Sequence, residues 1–282
     1  MRVNCYIIVC FWGLIFLAQS GWGQACCSGG VPISSTLGLS TKNQGDLQIQ
    51  VSYDLNTLQN WFTGSEAWEE ITATRRTHSF LLEGNYDISP AWSVNAVFTY
   101  IRQTRLILRS DDFVANQGPG DAILLLRYNI LHRKPESRWG WVLGLGPKFP
   151  LGRNDFTDSR GITLAADLQP GTGAWDGVAW TQISHQLKSV PNLSLSLNGL
   201  FRLTGSALRF GGLQEYRFGN EFQGQLGLSY RMVLGSLLLD PLLTLRYRHV
   251  AADQSDGSIQ ENTGGRWGYL RPGLNINISP ET

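Results

Sequence analysis

The sequence predicts an all-β fold, a transmembrane antiparallel up-and-down β-barrel. From Asp46 onward, long stretches alternate apolar and polar residues, which is the period of strands with one apolar face. Short and long connections alternate between these stretches. Beyond the N-terminal segment, no apolar run approaches the roughly 20 residues that a membrane-spanning helix needs. A chain of this kind can cross a membrane only as a closed barrel.

The first 25 residues have the order of a secretory signal peptide. A basic start at Met1-Arg2 precedes the apolar run Cys5 to Ala18, and small and polar residues follow. The apolar run is shorter than the about 20 residues of a spanning helix, although a membrane anchor is the alternative. Cleavage is expected after Gly23 or Ala25.

Residues 26–45 are rich in Ser, Gly and Thr and are predicted to form a periplasmic N-terminal lead-in. The barrel is then expected over residues 46–282. Cys26 and Cys27 are adjacent and have no partner cysteine in the mature chain. Lipid attachment at Cys26 stays open, although the preceding residues match a lipoprotein signal poorly. Zinc binding lacks a second pair of ligands, so no metal or cofactor is expected.

About ten strands are predicted, an even number as bacterial barrels have. The clearest runs from Leu193 to Leu203, and the longest from Tyr216 to Met232. Such lengths exceed the about 5–6 residues usual in soluble proteins. Aromatic residues near the strand ends, including Tyr216 and Phe218, are interpreted as two interfacial girdles.

The short connections are predicted at one end of the barrel and the long ones at the other, as periplasmic turns and extracellular loops respectively. Leu108 to Gly118 is among the predicted long loops. Since the first and last connections, Asn56 to Arg75 and Ala251 to Arg266, are both long, both ends of the chain are expected in the periplasm.

Charged residues on the polar face are predicted to lie inside the barrel. They could line a water-filled path that selects solutes by charge, or form ion pairs that fill a narrow barrel. Basic residues outnumber acidic ones, which suggests a modest preference for anionic or polar solutes. These candidates are Glu83, Asp87, Asp121, Arg127, Lys148, Arg202, Arg217, Glu221, Arg231, Asp240, Arg246, Arg248 and Arg271.

Other classes of function have little support. The net charge is +1, so no nucleic-acid footprint is indicated. His185 follows Ser184, but neighbours along a strand point to opposite faces and cannot act in one triad. No catalytic motif or catalytic residue is identified, and the chain is not expected to be an enzyme.

Five short motifs carry a resemblance to a known family. They are Gly118-Pro-Gly-Asp121, Gly144 to Gly152, Gln169-Pro-Gly-Thr-Gly173, Tyr216 to Glu221, and Arg271-Pro-Gly273. Their order resembles that of the outer-membrane transporter-like barrels named after the MetA pathway of phenol degradation, over roughly Asp46 to the end. The resemblance implies passage of small, often aromatic or hydrophobic, compounds.

Outer-membrane barrels usually end in a strand with a terminal aromatic residue, whereas this sequence ends Ile278-Ser-Pro-Glu-Thr282. We therefore expect one more hairpin in a complete chain, which would give about twelve strands.

The leading hypothesis is an outer-membrane channel or transporter for small molecules, exported by its signal peptide. Its expected partners are outer-membrane lipid, a small-molecule solute and the barrel-assembly machinery. The alternative is a structural or surface-binding barrel with a plugged lumen. In that case Trp61, Phe62 and Trp68 of the first loop could bind a partner, or they could pack over the barrel mouth.

Overall fold

The computed structural model describes residues 44–58, 62–63, 66–67, 73–107, 112–132, 136–190, 192–235, 237–261 and 263–277. The predicted signal peptide, nearly all of the lead-in and Cys26 lie outside these residues. Trp61 and Trp68 also lie outside them.

The described residues form eighteen β-strand segments and one 3-10 turn, Ala166–Leu168. None of their helices is long and apolar enough to span a membrane. The strands are β1 (Leu47–Leu58), β2 (Phe62–Thr63), β3 (Glu66–Ala67), β4 (Ala73–Asp87), β5 (Trp92–Ile107), β6 (Asp112–Pro119), β7 (Ala122–Asn129), β8 (Trp139–Phe149), β9 (Asp176–Gln186), β10 (Leu193–Thr204), β11 (Ser206–Phe210), β12 (Gln214–Arg217), β13 (Glu221–Tyr230), β14 (Met232–Leu234), β15 (Leu237–Val250), β16 (Asp253–Ser255), β17 (Ser258–Gln260) and β18 (Gly265–Asn277).

One curled antiparallel sheet contains most of these segments, in the order β1-β4-β5-β7-β8-β9-β10-β13-β15-β18. β6 continues into β7 with a one-residue shift of register against β5. β14 continues β13 in the same register against β15. The sheet therefore has ten strands, each paired with its neighbour in sequence, and the predicted all-β, up-and-down architecture is confirmed.

The two edge strands of the sheet are β1 and β18. Among the described strands, β1 pairs with β4 alone and β18 with β15 alone. The expectation of twelve strands stays a prediction.

The outer face of the sheet is apolar, as the alternation predicted. Leu197, Leu226, Leu245 and Leu270 are directly paired across β10, β13, β15 and β18, and each is about half exposed. Phe80, Leu82 and Phe98 are exposed in the same way on β4 and β5. Exposed leucine and aromatic rows of this kind suit contact with lipid.

The inner face also contains an apolar cluster that the alternation did not predict. Its members lie on five strands of the wall and contact one another inside the barrel. They are Leu81, Val97, Ile123, Leu125, Val178, Trp180 and Leu200. The interior therefore has polar and apolar parts, whereas the sequence predicted a polar inner face.

The connections differ at the two ends, which we call the short-turn end and the long-loop end. At the short-turn end, β4 joins β5 through residues 88–91 and β9 joins β10 through residues 187–192, as predicted. Trp92 packs on Tyr128, with ring centroids 4.7 Å apart, and Trp139 stacks on His185 at 4.0 Å. Aromatic contacts thus lie on four neighbouring strands, β5, β7, β8 and β9, at this end.

Two predictions about the long-loop end are wrong. The stretch Leu108 to Gly118 is mostly strand, because β6 extends the wall beside β5. The predicted strand Tyr216 to Met232 breaks at residues 218–220, where β12 leaves the barrel to pair with β11 and β16. Tyr216 and Phe218 are consequently buried among the loops instead of facing lipid.

The apolar row gives a test of the membrane-facing surface. We expect Leu226→Arg to lower the free energy of unfolding by about 2–4 kcal/mol, the cost of an arginine at the bilayer midplane of a barrel. Urea titration of protein folded into lipid vesicles measures this change. Leu208→Arg is the control, because Leu208 is 77% exposed on β11, outside the barrel sheet. Equal losses in both variants would contradict the assignment.

Candidate functional site

The dominant feature of the interior is a row of six buried charged side chains of alternating sign, which we call the charge ladder. Each side chain comes from a different strand or from the junction before it. The six strands, β7, β8, β9, β10, β13 and β15, are consecutive in the sheet. Its members are Asp121, Lys148, Asp176, Arg202, Glu221 and Arg248.

Lys148 joins the first two carboxylates of the ladder. Its Nζ lies 2.6 Å from Asp121 Oδ2 and 3.1 Å from Asp176 Oδ2, and it donates to the carbonyl of Ala174 at 3.1 Å. The Lys148 and Asp121 side chains have no exposed surface. An ammonium group can be buried only with such partners, since an uncompensated charge costs several kcal/mol.

Arginines continue the ladder toward β15. Arg202 Nη2 lies 3.0 Å from Glu221 Oε2, and its Nε lies 4.0 Å from Asp176 Oδ2. Arg248 Nε donates to Glu221 Oε1 at 2.6 Å. The Arg248 guanidinium then lies over the ring of Trp267, 5.4 Å from its centroid, so the ladder ends on an aromatic residue of β18.

Asp121 also organises the loops at the long-loop end. Its Oδ1 accepts from the backbone N–H of Gly152 at 3.1 Å, and its Oδ2 accepts from the N–H and hydroxyl of Thr172 at 3.1 and 2.6 Å. Three segments far apart in sequence therefore meet at one carboxylate. The register shift between β6 and β7 falls at Gly120 and Asp121, and such bulges can redirect a side chain.

Glycines allow the chain segments around Asp121 to approach closely. A Cβ on Gly152 would lie 2.6 Å from Gly171 Cα. A Cβ on Gly120 would collide with the Thr99 side chain and come within 3.4 Å of the Pro170 carbonyl oxygen. A larger residue at Gly152 would therefore push apart the two ends of the loop that joins β8 to β9.

A second polar cluster lies on the inner face of β4, β5 and β7. Asn95 Nδ2 donates to Glu83 Oε1 at 2.8 Å, and Arg127 Nη1 donates to Asn85 Oδ1 at 2.9 Å. The Arg127 guanidinium also lies 4.8 Å from the ring centroid of Trp180. Asp87, at the end of β4, accepts from Asn85 at 3.2 Å.

The remaining predicted interior residues lie in several places. Arg231 and Asp240 form an ion pair at the short-turn end, with Arg231 Nε 2.9 Å from Asp240 Oδ1. Arg246 is half-buried and donates to Gln223 at 2.8 Å, and Arg271 is half-buried on β18. Arg217 is placed differently from the prediction, because it belongs to β12, outside the barrel wall.

Sequence reasoning missed three charged residues of the interior: Arg75, Asp167 and Asp176. Asp176 begins β9, and alternation with the inward Val178 and Trp180 could have found it. Arg75 is the last residue of the predicted first long loop, Asn56 to Arg75, whereas β4 already begins at Ala73. Asp167 belongs to a loop and has no pattern that predicts an inward position.

Residues 150–175, between β8 and β9, form what we call the inserted loop. Its 3-10 turn, Ala166–Leu168, contacts the inner face of β4, β5 and β6 near the long-loop end. Arg75 pairs with the Asp167 carboxylate, Gln103 donates to the Asp167 carbonyl at 3.1 Å, and Asn116 donates to the Leu168 carbonyl. Leu168 is buried. The loop thus enters the long-loop end of the barrel.

A four-stranded sheet of β11, β12, β16 and β17, which we call the cap sheet, lies beside the inserted loop. β16 and β17 are joined by Asp256-Gly257 with positive φ at both positions, the geometry of a two-residue hairpin turn. Phe210, Tyr216 and Phe218 pack with Ala174 of the inserted loop. The two parts therefore share one small apolar core.

Asp253 fastens the cap sheet to the start of β13. Its Oδ2 accepts from the Tyr216 hydroxyl at 2.6 Å, and its Oδ1 accepts from the Gly219 N–H at 2.7 Å. Burial raises the pKa of Asp253, while the hydrogen bond from Tyr216 acts in the opposite direction.

The described residues contain no group of three or more His, Cys, Asp or Glu side chains suited to a metal ion.

Comparison with known proteins identifies the family. Residues 71–282 match the model of the family described as "Putative MetA-pathway of phenol degradation". The chain belongs to this family. The resemblance carried by the five motifs is thereby confirmed, and three of those motifs meet at Asp121 in the structure.

Solved structures support the same fold for this member of the MetA-pathway family. The crystal structure of an outer membrane channel from Pseudomonas putida F1 matches with a TM-score of 0.66 over 85% of each chain, at 15% sequence identity. Nineteen chains of solved structures match in all. No curated protein sequence matches the chain.

The charge ladder predicts a large effect for loss of one cation. Lys148→Met would leave Asp121 and Asp176 without their shared partner, and we expect a loss of about 3–5 kcal/mol in the free energy of unfolding. The measurement is urea titration in lipid vesicles. Arg153→Met is the matched control, since the Arg153–Asp155 pair of the inserted loop is more than half exposed and such pairs contribute about 0–1 kcal/mol. A loss for Lys148→Met no larger than that of the control would refute the ladder's role.

Proposed function

We propose that the protein is a passive channel of the bacterial outer membrane for small, uncharged and partly apolar molecules. The observation that carries the proposal is the contrast between the two faces of the sheet. The outer face is apolar from β1 to β18. The inner face has two buried polar clusters, one on β4, β5 and β7 and the other the charge ladder from Asp121 to Arg248. The family membership and the channel fold support the same function.

Pairing of the interior charges favours uncharged solutes. The ladder contains three carboxylates and three cations, each within 4.0 Å of an opposite charge. A ring of unpaired charges, which selects ions in other pores, is not what these six residues form. The anion preference predicted from the excess of basic residues loses weight. With Arg75, Asp167 and Asp176 added and Arg217 removed, the interior has eight basic and seven acidic residues instead of eight and five.

The apolar cluster favours solutes with some apolar surface. Trp180 and Leu200 lie on the inner face of β9 and β10, close to the Arg127 cluster. Since each side chain of the cluster is at most 5% exposed, a solute would contact them only where the packed interior opens during passage. The same cluster also favours the second candidate, a structural barrel whose interior is packed shut.

Transport measurements separate the two candidates. Purified protein in liposomes should let arabinose and phenyl glucoside cause swelling faster than in protein-free liposomes, because both solutes are neutral and cross lipid poorly. No swelling with either solute would remove the channel proposal and leave the structural barrel.

The inserted loop predicts a variant with faster passage. Asp167→Asn removes the ion pair with Arg75 that holds the 3-10 turn against the barrel wall. We expect swelling rates to rise several-fold, because the loop would leave the wall more often. Arg160→Gln is the control, since its ion pair with Asp158 lies in the same loop but Arg160 is 70% exposed. Equal rates for both variants and the unmodified protein would show that the loop does not limit passage.

A further inference from the structure

The outer face of the barrel wall carries formal charge at one end only. Alternation of exposure along the strands places Arg76 of β4, Arg102 of β5 and Arg266 of β18 on this face. Among the described positions of the outer face, these three are the only Lys, Arg, Asp or Glu residues. All three lie near the long-loop end of their strands. The outer face therefore has a positively charged rim at the long-loop end.

Two of these arginines are neighbours on the wall. His78 of β4 is paired directly with Arg102 of β5, and Arg76 lies two residues from His78 along β4. Arg76 and Arg102 are thus diagonal neighbours on one face, a relation that corresponds to about 7–8 Å. We call Arg76, His78 and Arg102 the basic patch.

The basic patch has no carboxylate beside it. On the outer face of β1, β4, β5 and β6, no described position is Asp or Glu. Neither Arg76 nor Arg102 forms an ion pair with another described residue. Both side chains are exposed. Their guanidinium groups are therefore available to a ligand from outside the chain.

A pair of arginines in this position favours an anion. Like charges on neighbouring strands repel each other, and an arginine at a membrane surface extends its charged group toward water or polar headgroups. The planar guanidinium matches a phosphate group through two parallel N–H donors. A phosphate between Arg76 and Arg102 would offset the repulsion and accept hydrogen bonds from both side chains.

The rows of side chains beside the basic patch have the order of the layers of a lipid. Toward the short-turn end, the next row is aromatic, and its members Tyr53, Phe80 and Tyr100 are paired across β1, β4 and β5. The row after it is apolar and consists of Val51, Leu82 and Phe98. Every member of both rows is exposed. Since adjacent rows lie about 7 Å apart, headgroup, interface and acyl chains each find a matching row.

Contacts between the rows fix their arrangement. Tyr53 Oη and His78 Nδ1 share a hydrogen bond of 2.7 Å, which joins the aromatic row to the basic patch. The ring centroid of Tyr53 lies 5.0 Å from that of Phe80. A surface that is already arranged loses little freedom on binding, which favours affinity.

We propose that the basic patch binds the phosphate of a membrane lipid whose acyl chains lie along the aromatic and apolar rows. The ligand class is a lipid with a phosphate-monoester headgroup, in the leaflet at the long-loop end. Free phosphate would gain only the charged contacts, whereas the lipid also buries apolar surface against the wall. The site lies outside the barrel, so it goes beyond the proposed channel and does not depend on an open interior.

Two lipids that differ by one phosphate test the proposal: phosphatidic acid and the diacylglycerol with the same acyl chains. Each is titrated at pH 7 against the full chain in nonionic detergent micelles, and native mass spectrometry measures the bound fraction. We expect phosphatidic acid to bind at least several-fold more tightly. Equal affinities would overturn recognition of the headgroup. Displacement of phosphatidic acid by an equal concentration of inorganic phosphate would overturn the role of the acyl chains.

Variants locate the binding. Arg76→Gln/Arg102→Gln removes both charges of the basic patch, and we expect phosphatidic acid to bind several-fold more weakly. Arg160→Gln/Arg209→Gln is the matched control, because it removes the same charge from exposed arginines outside the barrel wall, and its affinity should stay unchanged. Equal affinities in the two variants would overturn the site. The shift of the folded band on heating, in gel electrophoresis, shows that each variant retains the barrel.

Discussion

The alternating charge ladder is the interaction on which the rest of the structure depends. It places Lys148 and Arg202 inside a barrel whose outer face is made for lipid, and each cation lies between carboxylates from the neighbouring strands. Buried ion pairs of this kind contribute little net stability compared with apolar packing, but losing one member is costly. Their main consequence is therefore to fix which strand ends and loops come together.

That consequence is clearest at Asp121. One carboxylate contacts Lys148 of the wall and both ends of the inserted loop, at Gly152 and Thr172. The loop then extends to the pair of Asp167 with Arg75 on β4, two strands away from β7 at the same end. The buried Asp121 carboxylate at the β6–β7 bulge needs these partners. It thereby holds the inserted loop over the barrel mouth, where a solute would meet it first.

Much of this architecture can be predicted from the sequence, because alternation carries the information. Strands such as β10 and β13 show it directly, since a membrane barrel must hide polar groups from lipid on every strand. The alternation fails where loops fold against each other. Tyr216 and Phe218 continue the apolar period of β13, yet they pack into the core of the cap sheet.

The inner face exposes a second limit of pattern reasoning. Leu81 and Trp180 occupy inward positions because the narrow interior is partly filled by side chains, which period two cannot distinguish from a hydrated lumen. Asp167 lies in a loop without periodicity, and only tertiary contact brings it to Arg75. The motifs containing Gly152 and Gly171 could be recognised by resemblance, but the contact between those two glycines could not.

The central claim is that the six charges act as one network, and a double-mutant cycle between two members that do not touch tests it most directly. Lys148→Met leaves excess negative charge at Asp176, and Glu221→Gln leaves excess positive charge at Arg202. In the double variant these two excesses offset each other through the Asp176–Arg202 contact. The account predicts that unfolding titrations in lipid vesicles show the double loss smaller than the sum of the single losses by more than about 0.5 kcal/mol, the limit of additivity for independent sites. Additive losses would show separate ion pairs and contradict the network.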